Sequence, residues 1–261
     1  MSKKKQALLT ILETKVIYPV FQPIVDLQNG NVVAYESLSR IENKNIDINI
    51  EELFCLAEAY GCVWKLEKLC RDKALKASMN KPSGTKIFLN VDGQIFQDSN
   101  FISGFTNRKL EKFGLLNEDI VFEITERTDI ENYVLLQAIM NHYIDQGYQI
   151  ALDDVGAGYS GLNRVVNTTP NYLKADIELV RNIHLSKSKQ SMMKLLVEYC
   201  DEMGLKLIAE GIETQKELEC VCNLHVHYGQ GYYLGLPDCK FNGVSSQALQ
   251  YLMNIHGMIK T

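Results

Sequence analysis

An α/β fold of the (β/α)8 TIM-barrel type with one antiparallel strand is what the sequence predicts. Short β-rich runs alternate with longer helical patterns, which implies mainly parallel pairing, because parallel strands need a long crossover. A length of 261 residues suits eight such units, since single barrels run to ~250 residues. One joint breaks the alternation: runs 20–27 and 32–40 are separated only by Gln28-Asn29-Gly30-Asn31. Asn-Gly between two apolar runs is a hairpin signal, and a hairpin makes an antiparallel pair. A doubly wound open sheet is the structural alternative.

The elements follow in chain order. Lys3-Lys4-Lys5 followed by Ala7-Leu8-Leu9-Thr10-Ile11-Leu12 imitates a signal peptide, but the apolar run is six residues long and Glu13 ends it. Apolar residues at 8, 9, 11, 12 and 16 fit an amphipathic helix better. The strand candidates are 20–27, 32–40, 86–91, 120–126, 149–155, 172–176, 206–211 and 228–234. Helical patterns occupy 50–60, 63–79, 130–146, 188–203 and 214–224; in the fourth, Leu195, Leu196, Tyr199 and Cys200 are expected to share one apolar face. No Pro/Gly/Ser-rich linker or low-complexity tract divides the chain, so residues 1–261 are expected to form one domain.

Composition narrows the function classes. With 46% apolar and 23% charged residues the chain can bury a full core. Lys plus Arg is 27 against 32 for Asp plus Glu, a net charge of −5. That sign argues against a nucleic-acid polymer or an anionic membrane as partner, both of which need a basic face. Seven scattered cysteines without a CxxC pair read as reduced thiols in a cytoplasmic protein. No stretch approaches the ~18 consecutive apolar residues of a membrane span.

Polar residues punctuate the strand ends. Glu36, Asn90, Glu123, Asp153-Asp154, Lys174, Glu210 and Gln230 each fall within a different strand candidate, and most are separated by about one βα unit of ~30 residues. A lone residue of this kind is an ordinary solvated strand end. Seven at matching positions converge on the C-terminal rim, where barrel enzymes keep their active sites. Two carboxylates ~4 Å apart repel by ~4 kcal/mol at an effective dielectric of ~20, so such a cluster calls for a cation. Carboxylate plus amide oxygen suits Mg²⁺ or Mn²⁺. Consecutive aspartates can bridge a metal pair, the arrangement used for in-line displacement at phosphorus.

Two motifs are weaker. Gly156-Ala157-Gly158-Tyr159-Ser160-Gly161 has the GxGxxG outline, with Asp176 twenty residues beyond Gly156. Asp153-Asp154 directly before it would repel a pyrophosphate, so a glycine loop beside the metals is the better reading. Cys220, Cys222, His225 and His227 suit zinc by type, but their alternating positions at a helix end do not converge without a turn. The remaining histidines, 142, 184 and 256, fall in helical or loop contexts and suggest no catalytic arrangement.

In order along the chain, Gln22-Pro23-Ile24-Val25, Glu36-Ser37-Leu38-Ser39-Arg40, Asn90-Val91, Glu123-Ile124-Thr125-Glu126, Asp153-Asp154-Val155-Gly156-Ala157-Gly158, Lys174, Ala209-Glu210-Gly211-Ile212-Glu213 and Gln230-Gly231-Tyr232 resemble the EAL-domain cyclic di-GMP phosphodiesterases of bacterial signalling. The resemblance runs from about Tyr18 to Pro237. It implies a (β/α)8 barrel with one antiparallel strand and hydrolysis of cyclic di-GMP to linear pGpG with two Mg²⁺ or Mn²⁺ ions. Glu36, Asn90, Glu123 and Asp153 would hold the first ion, and Asp153, Asp154 and Glu210 the second. Lys174 and Gln230 would orient the attacking water, with Glu210 a candidate base. Gln22, Leu38, Arg40 and Glu213 would hold the dinucleotide, Arg40 being suited to bidentate phosphate contact. Glu126 would brace the glycine loop.

Departures from the family pattern are Ser37 for the signature alanine, Val155 for Phe, Ala157 for Thr and Gly161 for Ser. None is a ligand position; the loop changes bear on the coupling of a homodimer to activity. With no sensory or cyclase segment beside it, regulation would fall to a homodimer or a separate regulatory protein. A catalytically silent cyclic di-GMP receptor is the main alternative, though such receptors usually lack metal ligands. A Mg²⁺-dependent barrel acting on another phosphoester or an enolate is the third reading.

Overall fold

A computed structural model of the chain describes residues 3–42, 48–124, 133–155 and 161–255. Eight strands close into a barrel in sequence order: β1 (Ile17–Asp26), β2 (Val32–Ile41), β3 (Lys86–Val91), β4 (Ile120–Ile124), β5 (Gln149–Val155), β6 (Tyr172–Ala175), β7 (Lys206–Ala209) and β8 (Tyr228–Gly229). Strand β1 is antiparallel to both of its neighbours, β2 and β8. The neighbouring pairs from β2 to β8 are parallel. The reversed strand expected from the Asn29-Gly30 hairpin is therefore present. Gly30 takes φ +74 in that turn and donates its N–H to Asp26 O at 2.9 Å, a backbone conformation that L side chains rarely adopt.

Helices α1 (Lys3–Thr14), α2 (Ile50–Ala59), α3 (Val63–Ala77), α4 (Phe105–Phe113), α5 (Tyr133–Ile144), α6 (Gly161–Val166), α7 (Ile177–Val180), α8 (Lys187–Met203), α9 (Gln215–Asn223) and α10 (Ser246–Ile255) complete the described chain. Their starts follow local chemistry. Asn49 and Glu52 form a reciprocal capping box at α2, and Thr214 and Glu217 form another at α9. Helix α8 stops at Gly204, which takes φ +69. The amphipathic reading of the N-terminus is met in α1, which buries Leu8, Ile11 and Leu12.

Two expectations are corrected. In α8 the buried face is Met193, Leu196, Val197 and Cys200, at the i, i+3, i+4, i+7 spacing, while Leu195 is 59% exposed. The last strand ends at Gly229 rather than continuing to 234, because the chain turns: Leu234 and Gly235 both donate N–H to Gly231 O. At Cys220, Cys222, His225 and His227 no group of three ligand atoms gathers among the described residues. His227 instead accepts a hydrogen bond from Leu207 N on Nδ1 at 3.2 Å and pairs through Nε2 with Asp201 at 2.9 Å. The 156–160 loop lies outside the described residues, and so does Glu126.

The core has two compartments. Ile24, Ala34, Phe88, Val121, Ala151, Tyr172 and Ile208 fill the barrel interior as one cluster. A larger cluster lies between the strands and the surrounding helices.

Candidate active site

The interior cluster fixes the site by strand geometry alone. Side chains alternate across a strand, so residue i+2 faces the same side as residue i. Ala34, Phe88, Val121, Ala151, Tyr172 and Ile208 all face inward, and two residues on stand Glu36, Asn90, Glu123, Asp153, Lys174 and Glu210. Tyr228 packs on the same cluster and is followed two residues on by Gln230. On the reversed strand the offset changes sign: Ile24 is inward, and Gln22, two residues earlier, is the Cα partner of Glu36. One ring of apolar residues thus carries a ring of polar ones above it, at the C-terminal end of the parallel strands.

Lys174 is the hub of that ring. Its ammonium, 1% exposed, lies 2.5 Å from Glu210 Oε1, 2.6 Å from Glu123 Oε1, 3.5 Å from Glu36 Oε2 and 3.6 Å from Asp153 Oδ1. Gln230 Nε2 donates to Glu36 Oε2 at 2.6 Å and to Gln22 Oε1 at 3.2 Å. Gln22 Nε2 in turn donates to Gly235 O at 3.2 Å. Asn90 Nδ2 donates to Glu36 Oε1 at 3.1 Å. Asp154 takes φ +56, and its N–H donates to Asp153 Oδ1 at 3.0 Å. Left-handed backbone at a non-glycine residue costs energy and is concentrated at functional sites.

Backbone close packing holds the loops that carry Glu210 and Gln230. Gln230 donates N–H to Ala209 O, and Ile212 donates N–H to Gln230 O. Gly231 lies so near this crossing that a Cβ there would sit 2.2 Å from Ile212 N.

Electrostatics follow from burial. Burial pushes the Glu123 carboxyl well above its ordinary range, and the Glu36 charge adds to the effect. Glu210 is pushed up to about 8 by burial, against the pull of Lys174, with Asp153 and Glu36 adding to the rise. Burial alone would lower Lys174, but the charges of Asp153, Glu123, Glu210 and Glu36 outweigh it and hold the ammonium well above its usual value.

The same residues fit a divalent cation. Carboxylate oxygens of Glu36, Glu123 and Glu210 lie within 4.8 Å of one another, as do those of Asp153, Asp154 and Glu210. Glu123 Oε2 is buried without a hydrogen-bond partner among the described residues. An oxygen in that state is costly until a donor or cation meets it, and an all-oxygen donor set suits hard ions.

A cavity of about 580 Å³ opens from this ring between β2, β3, α2 and α3. Leu38 and Arg40, both half-buried, line it together with Glu36, Asn90, Asp153 and Asp154. Arg40 Nη1 donates to Ser39 O at 2.9 Å. Glu213 is exposed on the loop after β7, and its N–H donates to Glu217 Oε2 at 3.1 Å. It does not line the cavity.

Sequence reading missed Glu67 and Arg71, which line the same cavity and are 3% and 4% exposed. The available signal was a Glu–Arg pair at i, i+4 on the face of α3 that also buries Val63, Cys70 and Ala74.

Comparison with known proteins places this geometry. The family model described as EAL domain matches residues 5–237. The chain is 26% identical over 226 residues to "Probable cyclic di-GMP phosphodiesterase PdeG" of Escherichia coli K12, covering 85% of this chain and 44% of PdeG. It spans between 28% and 65% of the length of the first curated relatives it matches. A standalone EAL protein from Vibrio cholerae O395, solved in a c-di-GMP bound form, is 27% identical with a TM-score of 0.75, covering 89% of this chain and 97% of that one. A Klebsiella pneumoniae BlrP1 manganese/cy-diGMP complex is 25% identical with a TM-score of 0.76, covering 85% of this chain and 56% of that one. With the match spanning nearly its whole length and the barrel closed around one reversed strand, the chain belongs to the EAL domain family.

Proposed function

We propose that this chain, acting as one domain, is a divalent-metal-dependent phosphodiesterase that hydrolyses cyclic di-GMP to linear pGpG. The observation that carries the reading is the convergence of Glu36, Asn90, Glu123, Asp153, Asp154 and Glu210 around Lys174 on one rim. Glu36, Asn90, Glu123 and Asp153 would hold one Mg²⁺ or Mn²⁺ ion, and Asp153, Asp154 and Glu210 a second. Bound there, such ions lower the pKa of a water and offset charge on the phosphate.

The chain's own groups supply the remainder. Gln230, braced through Gln22 to Gly235 O, presents a fixed amide to the attacking water. Lys174 sets a permanent positive charge beneath the reacting phosphate and keeps the carboxylates together. Glu210, at the edge of the carboxylate ring beside Lys174, is the candidate base for the water's proton. The water oxygen bonds to phosphorus, the bond from phosphorus to the ribose 3′ oxygen breaks, and that oxygen is protonated. Arg40 meets a phosphate, Leu38 gives apolar contact to the dinucleotide, and Glu213 reaches it from the loop after β7. In this reading Glu126 would brace the glycine loop.

The setting belongs to the same reading. Seven free thiols suit the bacterial cytoplasm, and among the described residues no helix is long and apolar enough to cross a membrane. A homodimer and a separate regulatory protein are the partners this reading proposes besides cyclic di-GMP. The test is chromatography of cyclic di-GMP incubated with purified protein and Mn²⁺ or Mg²⁺, beside calorimetry. Metal-dependent appearance of pGpG is expected. Calorimetric binding without turnover would overturn the enzyme reading in favour of a receptor.

A further inference from the structure

We propose that Glu67 and Arg71 are positioning residues that set the rim ends of β3 and β4, and through them the Asn90 and Glu123 side chains. The inference rests on the metal-dependent reading above. Both residues lie on α3, outside the barrel, and neither belongs to the ring of polar residues around Lys174.

The connection can be followed atom by atom. Glu67 Oε2 accepts the Asp92 N–H at 3.1 Å. Asp92 is the first residue past β3, beyond the last β3–β4 register pair, Val91 and Ile124. Glu67 supplies an acceptor to this N–H from the helix behind the strand. Two residues earlier Asn90 is the Cα partner of Glu123 and donates to Glu36. Fixing Asp92 N thus fixes the height at which Asn90 enters the ring.

Arg71 fixes Glu67 and reaches the adjacent strand. Its Nη2 donates to Glu67 Oε1 and to Tyr143 OH, and its Nη1 to Thr106 Oγ1 at 3.3 Å. The guanidinium lies 4.9 Å from the Phe122 ring centroid and 5.6 Å from that of Trp64, a cation–π arrangement. Phe122 precedes Glu123 on β4 and packs in the outer compartment, so the strand period turns Glu123 inward. One ion pair therefore braces both strands from behind.

Stability alone does not explain the pair. Buried ion pairs are often replaceable by apolar residues of similar volume without loss, and Arg71 Nε is buried with no hydrogen-bond partner among the described residues. What an apolar pair could not provide is the acceptor at Asp92. This separates a positioning role from a packing one.

The test compares two double variants with the wild-type chain. Glu67→Leu with Arg71→Leu keeps the packing and removes the acceptor. Glu67→Gln with Arg71→Met keeps an amide acceptor and removes both charges. Mn²⁺ binding is followed by electron paramagnetic resonance, exchange of the Asp92 amide by hydrogen–deuterium exchange, and turnover of cyclic di-GMP by chromatography. In the Leu pair, Mn²⁺ affinity should fall by ~10-fold or more, the scale of lost support behind a ligand. The Asp92 amide should exchange faster and turnover should fall. In the Gln/Met pair all three should return to within ~3-fold of wild type, the amide acceptor being restored. Wild-type affinity and turnover in a folded Leu pair would overturn the inference, as would equal impairment of both pairs. If the Leu pair fails to fold, Glu67→Gln alone decides: it should retain Mn²⁺ affinity, and a ~10-fold loss would overturn the inference. A wild-type chain that binds no Mn²⁺ would overturn the underlying reading and this inference with it.

Discussion

Replacing Lys174 with methionine removes one ammonium while keeping an unbranched side chain of similar reach. In the folded chain that ammonium sits 2.5–3.6 Å from four carboxylate oxygens. At an effective dielectric of ~20, each such attraction is roughly 5–7 kcal/mol before desolvation is subtracted. The measurable consequence is smaller. Removing one member of a buried ionic group costs about 3–5 kcal/mol, because the partners left behind are uncompensated. For a domain of this size that lowers the thermal midpoint by roughly 6–20 °C. The loss has a pH signature. Without the ammonium the clustered carboxylates relieve their repulsion only by taking up protons, so Lys174→Met should lose more at pH 8 than at pH 5. Saturating Mn²⁺ should restore part of the midpoint, since an ion supplies the missing charge. The assay is scanning calorimetry of both proteins in EDTA and in Mn²⁺ at the two pH values. Equal midpoints for wild type and Lys174→Met in EDTA at pH 8 would refute the role given to this charge.

Further outcomes follow from the same contacts. Glu36→Ala removes the carboxylate that receives Asn90 and Gln230; turnover should fall by at least ~10²-fold, the scale of a lost metal function, and full activity at saturating Mn²⁺ would count against the assignment. Gly231→Ala places a Cβ 2.2 Å from Ile212 N; backbone cannot yield as a side chain can, so the chain should lose about 3 kcal/mol or more by denaturant titration. For pH, the folded Glu210 carboxyl lies at about 8 against an ordinary 4.5. In that window the folded state holds a proton that the unfolded state has released, so this group's contribution is complete below about 4.5 and is lost as pH rises through 8. The thermal midpoint of the metal-free chain should therefore decline from pH 5 to 9, with a shallower decline in Glu210→Gln.

Much of the barrel was legible because its signals are local. Glu36, Asn90, Glu123, Asp153, Lys174 and Glu210 were legible as polar residues of successive strand candidates, most about one βα unit apart, and the Asn29-Gly30 turn identified the reversed strand. The two-residue period then accounts for their shared interior face in the structure. What was less legible depended on distant contacts. Leu195 belongs to an apolar-looking face of α8 by sequence, yet the barrel lies against Met193, Leu196, Val197 and Cys200. Strand β8 ends early because Gly231 must pass against the backbone of Ile212, which sequence does not reveal. Helix α4 reads as mainly polar, with Asn107, Arg108, Lys109, Glu111 and Lys112 among its nine residues, so periodicity alone did not announce it. Glu67 and Arg71 escaped attention because a Glu–Arg pair at i, i+4 usually marks a solvated helix face, and only the fold shows both side chains buried beside the cavity.

The most direct measurement is hydrolysis in ¹⁸O-labelled water, with the product resolved by mass spectrometry. If the carboxylate ring holds divalent ions that deliver water to phosphorus, incubation with cyclic di-GMP and Mn²⁺ should give pGpG. One ¹⁸O should then appear in its terminal phosphate, and EDTA should abolish the product. Folded protein that binds Mn²⁺ and cyclic di-GMP yet releases no labelled pGpG would contradict the assignment, as would undiminished product in EDTA.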